Sequence, residues 1–73
     1  MKIIEEIYAE LEWVFVIKLD NDRLVKFIYN PIEDSASKDV LGDKGYSLIE
    51  SEKMDELVIP IILKRIRNKN LTK

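Results

Sequence analysis

Ser35-Ala36-Ser37-Lys38 has the spacing that, on a helix, sets a lysine amine one turn from a serine hydroxyl. That is the arrangement a serine nucleophile with a lysine base requires, but the companion motifs of such acyl-transfer chemistry are missing, and a serine at a helix start commonly serves as a cap. Carboxylates gather at Asp34, Asp39 and Asp43, and again at Glu50, Glu52, Asp55 and Glu56. Paired acids can separate their pKa values for proton transfer, and oxygen clusters can hold Mg²⁺ or Ca²⁺, yet neither group has the spacing of a calcium loop. The second group falls where a helix should begin, a place where the helix dipole stabilises negative charge. Gly42-Asp43-Lys44-Gly45 lacks the frame of a phosphate-binding loop and reads as a turn. Cysteine and histidine are both absent, which removes disulfides, thiolate sites and the usual zinc, iron and copper ligands. No catalytic, metal or cofactor-binding residue is assigned on these grounds, no small-molecule substrate is evident, and the chain reads as non-enzymatic.

The remaining chemistry is electrostatic. The formal charge of −2 divides unevenly: residues 1–60 hold all 14 acids, while residues 61–73 hold Lys64, Arg65, Arg67, Lys69 and Lys73 and no acid. A local basic end on an acidic body can contact phosphates even at a pI near 5.1, so Lys64, Arg65, Arg67 and Lys69 are the candidate nucleic-acid contacts. Solvated bases ending a helix account for the same residues. Trp13, Phe15, Phe27 and Tyr29 could stack on bases, but no basic residue shares the face on which they are expected, and core packing explains them better.

Behind these side chains the pattern predicts a small single-domain α+β fold, with an N-terminal helix, a β-hairpin with room for a third short strand, and a C-terminal helix packed on the sheet. Residues 2–11 set Ile3, Ile7 and Leu11 on one helical line, with Ile4 and Tyr8 beside it and Glu5, Glu6 and Glu10 elsewhere. EWVFVIKLDNDRLVKFIYN then changes to β-branched and aromatic runs separated by a polar turn. A three-residue loop over Asn21–Arg23 would pair Ile17 with Phe27 and Phe15 with Tyr29, collecting Trp13 on the same face. It requires Asn21 or Asp22 to accept a left-handed conformation, since no glycine is available. The opposite face, with Val14, Val16, Lys18, Lys26 and Ile28, is only half polar and calls for a further layer, strand or chain to cover it.

Asn30-Pro31 should stop the second strand. A short helix is expected in residues 32–45, capped by Asp34 or Ser35 and ended by Gly42. Tyr46–Ile49 is read as a short strand preceding a helix, and a helix start on a capping box from Ser47 to Glu50 is the alternative. Met54, Leu57, Val58, Ile61, Ile62 and Ile66 keep helical spacing across Pro60, which favours a kinked helix; the alternative makes Val58–Leu63 an edge strand. Residues 1–67 are expected to form one domain and residues 68–73 a flexible basic tail.

A domain this small buries only about 60% of the surface of its unfolded chain. With no disulfide or thiolate-metal staple available, association is the natural compensation, and Val58, Ile59, Ile62, Leu63 and Ile66 are the expected partner interface. The sequence-based expectation is therefore an accessory subunit or regulator that pairs with a protein or with itself. A nucleic-acid factor acting through residues 64–73 is the first alternative. A viral or plasmid inhibitor that uses Glu5, Glu6 and Glu10 against a basic groove is the second. The acid-rich start and an apolar run that ends at Leu63 predict no membrane span and a cytoplasmic location, and the Ile, Lys and Glu content without Gln or Cys resembles that of thermophile proteins, including archaeal or viral ones.

Overall fold

A computed structural model describes residues 1–71, with side chains through Asn68. Four strands, β1 (Lys2–Tyr8), β2 (Trp13–Lys18), β3 (Leu24–Asn30) and β4 (Ser35–Leu41), precede one helix, α1 (Leu48–Leu71). The strands form an antiparallel meander in the order β1-β2-β3-β4. The expected helix, hairpin and helix arrangement is thus replaced by a four-stranded sheet with a single C-terminal helix.

The N-terminal helix is the largest correction. Residues 2–8 pair with β2, and a bulge between Ile3 and Glu5 inserts Ile4 as an extra residue. Alternation is thereby reset: Ile3, Glu6 and Tyr8 oppose the inward residues Ile17, Phe15 and Trp13, while Glu5 and Ile7 oppose Val16 and Val14. The bulge destroys the period of two and leaves a spacing that mimics a helix. Physically the strand wins because an isolated helix of this length is marginal in water, whereas the free edge of β2 satisfies the backbone of an Ile- and Tyr-rich segment at once.

The central hairpin turns its aromatic face inward as expected, though shifted by two residues. Trp13 opposes Tyr29, Phe15 opposes Phe27 and Ile17 opposes Val25. The loop keeps three residues but lies one position earlier than anticipated, at Asp20–Asp22, with Leu19 N–H donating to the Arg23 carbonyl at 2.8 Å across a short 3₁₀ turn. Asn21 and Asp22 both take the left-handed conformation, at φ 64° and 59°.

Where a short helix was expected, Ser35–Leu41 forms the edge strand β4. Asn30 Oδ1 accepts from the backbone N–H groups of Ile32 and Glu33 to shape the preceding turn, and the Tyr29 hydroxyl donates to Asp34 Oδ1 at 2.7 Å. Ala36, Lys38 and Val40 oppose the inward residues Tyr29, Phe27 and Val25. An inward lysine on an edge strand masks its alternation and also discourages edge-to-edge pairing. Gly42 follows at φ 124°, a conformation that favours glycine.

Tyr46 and Ser47 lie in a loop, so the capping-box reading replaces the short strand. Glu50 N–H donates to Ser47 Oγ at 3.1 Å, and Ser47 N–H donates to Glu50 Oε1 at 2.9 Å. Arg23 fastens this helix start to the hairpin, donating to both Glu50 carboxylate oxygens at 3.1 and 2.6 Å and to the Gly45 carbonyl at 2.9 Å. α1 then passes through Pro60 as a continuous helix. Met54, Val58 and Ile62, one turn apart, bury against Trp13, Phe15, Ile17, Val25, Phe27 and Tyr29. Pro60 itself is exposed, so its cost is the donor lost to the Glu56 carbonyl rather than a clash in the core.

Twenty-four helical residues span about 36 Å and a seven-residue strand about 23 Å, so α1 overhangs the sheet. That overhang gives the molecule its 42 × 19 × 19 Å shape. No helix among the described residues is long and apolar enough to cross a membrane. Of the tail expected over residues 68–73, residues 72 and 73 and the side chains from 69 onward lie outside the described residues.

Candidate functional site

Three surfaces remain once the core is assembled. The first is the sheet face opposite α1, which no element crosses among the described residues. Strand register places Ile7, Val14, Ile28 and Ser37 in one row across it, Glu5, Val16, Lys26 and Asp39 in the next, and Lys2, Lys18, Leu24 and Leu41 in the third. Ile7 is 46% exposed and Leu41 42%, whereas Val16 is only 8% exposed, flanked in its row by Glu5 and Lys26. Glu5 and Asp39 alternate in sign with Lys26, leaving a mixed, nearly balanced face around a central apolar strip.

The second surface is the groove between α1 and β4. Ala36 and Asp34 provide one wall, Ile59, Leu63 and Ile66 the other, and Phe27, Tyr29 and Ile62 the floor of a hollow of about 300 Å³. The residues expected to form a single partner interface divide here. Val58 is fully buried, Ile62 is buried and Ile66 packs half-buried on the core, while Ile59 and Leu63 are about half exposed and rim the groove.

The third is a cleft of about 630 Å³ where the β1–β2 turn, Pro31 and the last turns of α1 converge. Tyr8, Trp13, Pro31 and Ile61 make its apolar lining, and Glu10, Lys64, Arg65 and Asn68 its polar one. The Arg65 guanidinium lies over the Tyr8 ring, 3.6 Å from its centroid, and 5.2 Å from that of Trp13. Burial, then the hydrogen bond to Glu6, push the Tyr8 phenol up to about 12. A basic residue and aromatic rings thus meet after all, through Arg65 and Tyr8 and not through the hairpin alone. The sequence hides this signal because its helical spacing sets Tyr8 on a helix that does not form. Lys64 joins Arg65 at the rim, Arg67 is exposed on the same overhang, and the side chain of Lys69 lies outside the described residues.

No family model, curated protein or solved structure matches the chain.

Geometry also disposes of the formal catalytic pairings. Ser35 and Lys38 sit three residues apart on a strand and so point to opposite faces. Lys38 Nζ instead donates to Ser51 Oγ at 2.9 Å, pairs with Asp55 at 2.8 Å and sits above the Phe27 ring. Glu50 is likewise committed: hydrogen bonds from Arg23, then from the Ser47 backbone, draw its carboxyl down to about 2. Among the described residues no cluster of three or more acids is arranged to hold a metal ion.

Proposed function

We propose that this protein is a non-enzymatic interaction module whose docking surface is the uncovered sheet face, and that its occupant is a second copy of the chain. The observation that carries this is the apolar row Ile7–Val14–Ile28 on a sheet face that no element covers among the described residues. The two sheet edges are a different route to association, but β1 carries a bulge and glutamates and β4 an inward lysine, both devices that oppose strand addition. Face-to-face packing remains. Lys2, Lys18 and Lys26 against Glu5 and Asp39 give that face both signs in nearly equal number, which suits a copy of itself better than a strongly charged partner.

Size sets the expected strength. Four strands at about 4.8 Å spacing and about 23 Å length give a flat footprint of roughly 400 Å² per subunit, below the ~800 Å² per partner of a standard interface. Even allowing for side-chain relief, the dimer belongs among weak, micromolar-range associations.

Sedimentation velocity from micromolar to millimolar protein tests the reading. Wild type should move from monomer to dimer, Val14→Lys should remain monomeric, and Leu63→Lys should behave as wild type. A monomer throughout, or loss of association only in Leu63→Lys, would reject the sheet face; the latter would transfer the interface to the α1–β4 groove.

A further inference from the structure

We infer that the cleft beneath Arg65 binds a ligand that joins a flat ring to a phosphate, the chemistry of a nucleotide. Its volume of about 630 Å³ falls within the 300–1,000 Å³ typical of small-ligand sites. It lies on the helix-covered side of the sheet, away from the face assigned to self-association, so the two readings stand separately.

Three observations point to this ligand class. First, the Arg65 guanidinium lies over the Tyr8 ring, 3.6 Å from its centroid, while its side chain remains exposed. A planar cation fixed in this way offers its outer face for stacking by a heteroaromatic ring, as arginine does with nucleic-acid bases. Second, the half-buried cations elsewhere are matched, Arg23 with Glu50 and Lys38 with Asp55, whereas among the described residues Lys64, Arg65 and Arg67 form no ion pair. Their charge is available for a phosphate, and Lys64 and Arg65 both line the cleft. Third, Pro31 and Ile61 supply an apolar wall, which a bare inorganic anion would leave unused. Glu10 is the single acid in the lining. It opposes the phosphate, and its removal should strengthen binding.

The ring and phosphate can come from a free nucleotide or from a nucleotide within a single strand. Arg67, and the basic sequence that continues beyond it, would extend phosphate contacts for a strand but add little for a free nucleotide.

Trp13 is the one tryptophan of the chain and lines the cleft, so its emission reports occupancy directly. Full-length protein is titrated with adenosine 5′-monophosphate, with inorganic phosphate and with a short single-stranded oligonucleotide. The expected result is saturable change in Trp13 emission with the monophosphate, little with phosphate alone, and weakening with salt. Arg65→Gln should lose about tenfold in affinity, the worth of one charge-assisted contact, and Glu10→Gln, an exposed turn change with little bearing on folding, should gain about threefold. Tighter binding of the oligonucleotide identifies a strand as the source, and equal binding a free nucleotide; both support the assignment. An unchanged emission with both organic ligands up to millimolar, phosphate binding as tightly as the monophosphate, or a Glu10→Gln protein that binds no better would overturn it.

Discussion

Val58 and Ile59 are adjacent in sequence and alike in chemistry, yet the phase of α1 assigns them opposite fates, and truncating each to alanine tests that phase. Val58 is fully buried between Met54 and Ile62 on the sheet. Val58→Ala removes two buried methyl groups at about 0.8 kcal/mol each, to which an unfilled cavity adds roughly 1 kcal/mol. Alanine returns about 0.5 kcal/mol through its higher helix propensity, leaving a net loss near 2 kcal/mol. For a domain of this size that lowers Tm by roughly 8–16 °C. Ile59 is 44% exposed at the rim of the α1–β4 groove. Its truncation forfeits about 1 kcal/mol of partial burial and regains nearly half of that through propensity, so the net cost is about 0.5 kcal/mol. Thermal and urea unfolding followed by circular dichroism, at one protein concentration, compares the two. Equal losses, or a larger loss for Ile59→Ala, would refute the helical phase and with it the division between core and groove.

Further outcomes follow from the same structure. Pro60→Ala should stabilise by about 2 kcal/mol, since an interior helical proline costs ~3 kcal/mol and its restriction of the unfolded chain returns ~0.4–1 kcal/mol; destabilisation in urea titration would favour the edge-strand reading of Val58–Leu63. Glu50 has its carboxyl drawn from 4.5 to about 2 in the folded state, so its contribution is complete above pH 4.5 and is lost as the pH falls towards 2; Glu50→Gln should flatten stability over that window, and an unchanged profile would show that the Arg23 clamp does not form. Tyr8, raised from 10.0 to about 12, contributes fully below pH 10 and loses its contribution as the pH climbs through 12; a phenolate absorbance titration in which all three tyrosines ionise near pH 10 would contradict its burial and its hydrogen bond to Glu6. Lys38→Leu should remove the inward charge that guards β4 and increase concentration-dependent aggregation, measured by light scattering, whereas unchanged scattering would show that this edge needs no guard.

The parts that could be read from the amino acids share one property, an uninterrupted period. Trp13, Phe15 and Ile17 alternate without a break, and so do Val25, Phe27 and Tyr29, which made the inward face of the hairpin legible even though its register shifted by two residues. Met54, Val58 and Ile62 likewise keep one helical line through Pro60. β1 was hidden because the extra residue Ile4 scrambles its alternation into helical spacing. β4 was hidden because its inward positions are Ala36, Lys38 and Val40, of which only one is a large apolar residue. These two omissions had consequences for the candidate sites. Without β1, the bases of residues 64–67 had no aromatic partner, since Tyr8 reaches Arg65 only through the sheet. Without β1 and β4, the half-polar face around Val14 and Ile28 calls for a further layer, strand or chain, with nothing to choose among them. The extra strands widen that face instead of covering it.

The most direct test of the central claim is residue-resolved NMR of uniformly labelled protein on dilution from millimolar to low micromolar concentration. Self-association through the uncovered sheet predicts that backbone signals of Ile7, Val14, Ile28 and Ser37, and the methyl signals of the first three, shift together along one binding curve, while those of Ile59 and Leu63 stay fixed. Shifts confined to Ile59 and Leu63, or none at any concentration, would contradict the account.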